Sequence, residues 1–206
     1  QVVYDQSTYA ANYVNKSYIS LGDFNGDGRT DFIASPTPDA TWTGWRLFLA
    51  DSNGNRFTYS GTGSLPADFK EIIPGDFNGD GNTDILRQEY IRSYGYWSIW
   101  RSTGTSLFDI GIDKKVIPND NTVKLMLLDI NQDGKTDILV KYPNYYDSGY
   151  FPQIKDYSMK LLLSVGNTFV NVLGLNNKKS LDFDFSAYGK FDSDLNKNVF
   201  VENNSV

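Results

Sequence analysis

The chain contains no cysteine and no histidine. Without thiols it forms neither disulfides nor thiolate metal sites, which says little about compartment, because many exported bacterial proteins also lack cysteine. The missing imidazole excludes more, since it removes the commonest general base, the Ser-His-Asp arrangement and imidazole metal ligation together. Positive charge is scarce as well. Lys and Arg total 19 against 25 Asp and Glu, for a formal net charge of -6, which repels nucleic-acid phosphates and anionic membrane surfaces. Nucleic acid is therefore not expected as a partner. No apolar run reaches the roughly 18 residues that a membrane-spanning helix needs, and no apolar stripe of 3.6-residue period attains helical length. The N-terminus lacks the basic-then-apolar shape of a signal peptide, so the sequence reads as a mature or excised soluble segment. Its 206 residues suffice for one all-β domain with a sizeable core.

What the chain does have is repetition. GDFNGDGRTDFIA (Gly22 to Ala34) returns as GDFNGDGNTDILR (Gly75 to Arg87) and as LDINQDGKTDILV (Leu128 to Val140). Asp23, Asp76 and Asp129 stand 53 residues apart, which is a period. A fainter fourth copy, GKFDSDLNKNVFV (Gly189 to Val201), keeps Phe191, Asp192 and Asp194 but carries Lys190 and Asn198 where the first and last acids stood. Its cation site is expected to be lost.

A second landmark recurs within each unit. SNGN (Ser52 to Asn55), STGT (Ser102 to Thr105) and SVGN (Ser164 to Asn167) each follow an apolar run and precede Phe57, Phe108 or Phe169. Small polar residues around glycine between apolar runs are hairpin-turn chemistry. Each unit is thus four strands: one before the acidic turn (YISL, EIIP, VKLMLL), one after it (DFIAS, DILRQ, DILVK), and the hairpin pair. Four strands repeating at this interval predict an all-β chain of β-propeller blades, each of four antiparallel strands, in about four repeats.

The acidic turn follows D-x-N-x-D-G-x-x-D. Side chains at positions 1, 3, 5 and 9 and the backbone carbonyl at position 7 can converge on one point, and hard oxygen donors of this kind suit calcium. The expected cages are Asp23, Asn25, Asp27, the Arg29 carbonyl and Asp31; Asp76, Asn78, Asp80, the Asn82 carbonyl and Asp84; and Asp129, Asn131, Asp133, the Lys135 carbonyl and Asp137. Gly28, Gly81 and Gly134 stand where the chain must bend with left-handed angles. Each loop carries three carboxylates, so three divalent ions would cancel the formal -6. An ordinary Asp/Asn/Gly turn is the blander account of any one copy; three copies in register outweigh it. An EF-hand is excluded because position 12 is Ala34, Arg87 or Val140 rather than a carboxylate, and the residues that follow alternate like strands.

These three segments resemble the FG-GAP/VCBS repeats of integrin-alpha-type β-propellers, and the accompanying W-x-I-x-x-S-x-G pattern in WSIWRSTG is similar to repeats of bacterial Rhs/YD-repeat and insecticidal toxin-complex proteins. The resemblance spans essentially the whole chain. It implies calcium-stabilised blades, a secreted or cell-surface and bacterial setting within a larger parent protein, and binding or scaffolding rather than catalysis. It leaves the ligand open, because fold does not decide function.

Strand counting predicts that the chain begins mid-blade, with Val2 to Tyr4 in an outer strand. From Ala34 to Leu65 the first unit spends 32 residues on its outer hairpin and linkers, whereas the two chain ends together offer only about 20, short by roughly a strand. A partial propeller is expected, with closure through an incomplete blade as the alternative, and open edges predict self-association.

Alternating strand directions put acidic loops and S-x-G turns on one face and the connectors from second to third strand on the other. Those connectors, Pro36 to Gly44, Gln88 to Tyr96 and Tyr142 to Tyr157, are rich in aromatics. Trp42, Tyr90, Tyr94, Tyr96, Tyr145, Tyr146 and Tyr150 are candidates for a protein or glycan surface, set against the alternative that they cover blade edges. Trp45, Trp97 and Trp100 lie in strands and are assigned to the core. Asp182/Asp184 and Asp192/Asp194 invite a glycosidase reading, but alternate strand positions make each pair a solvated sheet face. Asn15-Lys16-Ser17 and Asn203-Asn204-Ser205 match glycosylation acceptors, which means little without a host. Two functions follow: a calcium-braced scaffold or adhesion segment, and a lectin using the aromatic connectors.

Overall fold

The computed structural model describes residues 3–4, 17–36, 44–63, 69–91, 94–111, 116–118, 122–146 and 153–172. Every regular element among them is a strand. The fourth repeat, the Asp182/Asp184 and Asp192/Asp194 pairs, and Asn15 and Asn203 lie outside the described residues.

Three four-stranded antiparallel blades follow one another along the chain. The first consists of β2 (Ser17–Gly22), β3 (Asp31–Pro36), β4 (Trp45–Ala50) and β5 (Arg56–Gly63), with β1 (Val3–Tyr4) added to its outer edge. The second is β6 (Phe69–Gly75), β7 (Asp84–Ile91), β8 (Tyr94–Ser102) and β9 (Leu107–Asp109); the third is β10 (Lys124–Leu128), β11 (Asp137–Tyr145), β12 (Ile154–Ser164) and β13 (Phe169–Val172). The first two blades belong to one compact unit, Gln1–Ile112, and the third to another, Asp113–Val206. The expected outer strand at the N-terminus is present in part. It pairs in parallel with β5, Val3 opposite Arg56 and Tyr4 opposite Phe57, a partner that two residues of sequence could not specify.

In the second strand of each blade five consecutive residues, 31–35, 84–88 and 137–141, are buried, so with a side-chain period of two both faces are covered there. In the first blade Ile33, Trp45 and Leu47 join Phe24 and, from the second blade, Ile85, Trp100 and Leu107 in one core cluster. The alternate positions Phe32, Ala34 and Phe48 form a second cluster with Phe57 packed against it. There the Phe32 and Phe48 rings stack at 4.6 Å and Phe57 meets Phe32 edge-on at 4.9 Å, an arrangement that adds to the burial of the rings. In the third blade Ile138, Leu139, Val140 and Leu162 are fully buried, each such aliphatic side chain contributing about 1.5–3 kcal/mol relative to exposure. Trp45, Trp97 and Trp100 are buried, as assigned.

The first two blades also meet through backbone. At the end of β2, a Cβ on Gly22 would stand 2.4 Å from Thr83 Cγ2, in the turn that precedes β7. At that distance one of the two must shift to admit the carbon. Gly22→Ala is therefore expected to destabilise the protein by about 1–3 kcal/mol, read as a lowered urea midpoint at constant slope, and Thr83→Ser in the same chain should recover only part of the loss, because Thr83 Cβ and Oγ1 also lie 2.8 Å from the added carbon.

Candidate functional site

Each acidic loop joins the first two strands of its blade and ends on an aspartate that opens the second strand: Gly22 pairs with Asp31, Gly75 with Asp84 and Leu128 with Asp137. These three carboxylates at position 9 are completely buried. Each spends its two oxygens on two separate backbone segments. Asp31 accepts from Phe24 N at 2.9 Å and Ala50 N at 2.8 Å; Asp84 from Phe77 N at 3.2 Å and Ser102 N at 2.8 Å; Asp137 from Ile130 N at 3.0 Å and Ser164 N at 2.8 Å. One bond closes the acidic loop and the other ties it to the end of the third strand. The acidic loop and the outer hairpin turn are thereby held at the same end of every blade.

The rest of the loop is organised by its own amides. Asp23 accepts from Asp27 N at 3.0 Å and Gly28 N at 2.7 Å, Asp76 from Gly79 N and Gly81 N at 2.7 and 2.9 Å, and Asp129 from Asp133 N and Gly134 N at 3.1 and 3.0 Å. Asn25, Asn78 and Asn131 accept from the position-5 amide, and the position-5 carboxylates of Asp27, Asp80 and Asp133 accept from the amides of Arg29, Asn82 and Lys135. Gly28, Gly81 and Gly134 have φ of +81°, +85° and +81°, the left-handed backbone expected at position 6. Position 4 is left-handed too, and there Gln132, at φ +60°, stands where the other loops have Gly26 and Gly79.

Position 7 does more than offer a carbonyl. Arg29 reaches back to the Asp27 carboxylate, Lys135 Nζ lies 2.9 Å from Asp133 Oδ2, and Asn82 Nδ2 donates to Asp80 Oδ1 at 2.9 Å. The hydrogen bond from the Lys135 side chain holds Asp133 below the usual carboxylate range. The buried acids go the other way. Burial raises Asp31 and Asp137 and pushes Asp84 up to about 6; backbone hydrogen bonds oppose the rise, and the position-5 and position-1 carboxylates of the same loop add to it.

Each loop thus crowds three carboxylates into nine residues. With an amide oxygen and a carbonyl beside them, the donor set fits a hard divalent cation in its chemistry. Among the described residues no group of three or more carboxylates is drawn together as a ready-made cage; the loops are closed by backbone N–H groups and the position-7 side chain.

The aromatic candidates are placed differently from expectation. The connector from Gln88 to Tyr96 is mostly strand, because β7 runs on to Ile91 and β8 starts at Tyr94, with Tyr90 opposite Gly95 and Glu89 opposite Tyr96. Tyr90, Tyr94 and Tyr96 are therefore ladder residues of two paired strands, a consequence of strong aromatic and β-branched strand preference that turn-like composition obscured. Tyr145 closes β11 and Tyr146 follows it; both are exposed, at 39% and 52%, beside exposed Ile154. Behind them Asn144 donates to Asp156 and, at 2.7 Å, to Ser158. Trp42 and Tyr150 lie outside the described residues.

One alignment in the turns also needs correction. The residues that give their N–H to the buried aspartate are Ala50, Ser102 and Ser164, so the counterpart of Ser102 is Ala50 and not Ser52. The first turn is longer: Ala50 pairs with Phe57, whereas Ser102 pairs with Leu107 and Ser164 with Phe169. Ser52 is an exposed turn residue.

The folded pKa of Asp84, about 6, lies above its ordinary 3.8, so the folded protein binds this proton more tightly than the unfolded chain. The stability so contributed is fully present below about pH 3.8 and is lost as pH rises through about 6. Asp84→Asn keeps the size but sets an amide NH2 against a backbone donor. In metal-free buffer its penalty is expected to be larger near pH 4.5 than near pH 7.5, by urea denaturation of both proteins; a penalty that grows with pH would contradict the assignment.

A family model described as FG-GAP-like repeat matches residues 23–87 and again 76–140, so each match runs from the first aspartate of one acidic loop through the next loop. Together they cover more than half of the chain. Among curated proteins, Protein linkin of Caenorhabditis elegans is 32% identical over 139 residues, 61% of this chain and 22% of that protein; the chain spans about a fifth of that relative's length. The chain belongs to the FG-GAP-like repeat family.

Proposed function

We propose that the chain is a calcium-binding, non-catalytic adhesion or scaffold module of a larger secreted or cell-surface protein. The observation that carries this reading is the threefold recurrence of one loop that crowds three carboxylates, one of them fully buried, into nine residues. A cation supplies the charge that such a loop lacks, and family membership together with the linkin relative points to interaction rather than turnover. Asp23, Asn25, Asp27, the Arg29 carbonyl and Asp31 would hold the first ion, with the equivalent sets Asp76 to Asp84 and Asp129 to Asp137 for the others. When bound, calcium contributes neutralisation and oxygen coordination. The chain's own part is to hold position 9 rigid and to supply or withhold the position-5 carboxylate, which Arg29 and Lys135 engage in two of the loops.

Binding to the folded state alone stabilises it by about 2.7 kcal/mol per site at a hundredfold excess over Kd, so calcium is expected to raise Tm by several degrees and a chelator to reverse this. Calorimetric titration should find three sites, with the second loop tightest, because Asn82 places no cation on Asp80. Identical melts in calcium and in chelator would overturn the reading.

A second reading is supported by the exposed Tyr145 and Tyr146 where β11 ends, beside exposed Ile154. Exposed flat amphipathic rings suit a sugar face. If this surface is a lectin site, a glycan array shows saturable binding that Tyr145→Ala and Tyr146→Ala abolish; an array silent for the unmodified protein removes the lectin and leaves the adhesion module.

A further inference from the structure

The serine ahead of the second hairpin turn does something that neither the turn nor the buried aspartate requires. Ser102 is buried, its N–H serves Asp84, and its Oγ accepts from Gly104 N at 3.1 Å. In the first blade Ala50 performs the aspartate-binding task with its N–H alone. The hydroxyl proton of Ser102 goes elsewhere, across to the first blade, where it is donated to the carbonyl of Phe24 at 2.6 Å. Phe24 is the second residue of the first acidic loop and is fully buried. Its neighbour Asp23 is held in the same way, its carbonyl accepting from Thr83 N at 2.6 Å. The second blade also closes on the next two positions: a Cβ on Gly104 would lie 3.6 Å from Asn25 Cα, and a Cβ on Gly26 would lie 3.0 Å from Asn82 Oδ1.

The first two residues of the first acidic loop, half-buried Asp23 and buried Phe24, thus give their backbone carbonyls to donors of the second blade, and the next two lie close to it. We propose that Ser102 is a positioning residue for the first acidic loop, so that the loop is completed only when the second blade is docked, and that its affinity for a cation is set across the blade boundary. The second half of this statement rests on the calcium reading above; the first half does not. A side chain that fixes a ligand-bearing backbone from an adjacent element acts as an outer-shell residue does in other metal sites, and leaving a buried carbonyl without its donor carries a cost large enough to measure.

The test uses the full chain with Ser102→Ala, and Ser52→Ala as the exposed-turn control. In metal-free buffer, hydrogen exchange at the amides of Asp27, Gly28 and Arg29 is expected to quicken about tenfold in Ser102→Ala, while Asp133, Gly134 and Lys135 keep their rates and the control changes nothing. In calcium titrations by calorimetry, Ser102→Ala should weaken about tenfold the one site that Asp23→Asn removes, and leave the others alone. Unchanged exchange in the first loop overturns the proposal whatever calcium does. Faster exchange in a protein that binds no calcium keeps the positioning role and refutes the calcium reading. If Ser102→Ala fails to fold, Ser102→Thr retains the hydroxyl: a folded threonine variant with a protected first loop supports the proposal, and one whose first loop exchanges fast overturns it.

Discussion

The constraint on which each blade depends is a carboxylate with nowhere to put its charge except onto backbone. Asp31, Asp84 and Asp137 are fully buried at the start of the second strand, where an ionised group is costly unless hydrogen-bonded. Each meets that cost with two N–H donors from two different segments, the acidic loop and the end of the third strand. A side chain with one acceptor oxygen cannot close both, and a longer one would not fit the distance. This is why the motif ends on aspartate, and why the two turns at that end of the blade are mechanically one object.

The same bonds bear on the repulsion within the loop. Each of the three acids packed into nine residues accepts from the loop's own amides, and in the first and third loops a basic side chain from position 7 covers the position-5 acid. The buried member has two backbone donors, and burial, with its two neighbours, raises it in spite of them.

Most of this architecture was legible because it repeats. The 53-residue spacing, the four apolar runs per unit and glycine at position 6 each have a direct physical correlate in blades, strands and left-handed backbone. Legibility failed where residue type and position came apart. Gln132 holds the left-handed angle that glycine takes in the other loops, Tyr90 and Tyr94 extend strands through what reads as a connector, and Ser52 looks like the partner of Ser102 while Ala50 occupies the place. In the last case the error came from aligning side chains, whereas the function that defines the position is a main-chain N–H. Only the hydrogen-bond partner, not the letter, identifies the equivalent residue.

That distinction also explains how a serine comes to be spent at Ser102. In the first blade a main-chain N–H alone serves the buried aspartate, while the Ser102 and Ser164 hydroxyls also take the N–H of their turn glycine. A hydroxyl becomes worthwhile when a carbonyl from the adjacent blade is brought into the dry space above it, where water cannot serve as donor. The planar trans peptide between Asp23 and Phe24 turns its N–H inward to Asp31 and so points the Asp23 carbonyl the opposite way, to Thr83 N of the second blade; the next carbonyl, that of Phe24, is the one Ser102 serves. The buried aspartate of one blade and the serine of the next are thus consecutive links in one chain of hydrogen bonds, Asp31 to Phe24 to Ser102, and Ser102 N passes it on to Asp84. In the first two blades the acidic motif is a joint between repeats as much as a loop within one.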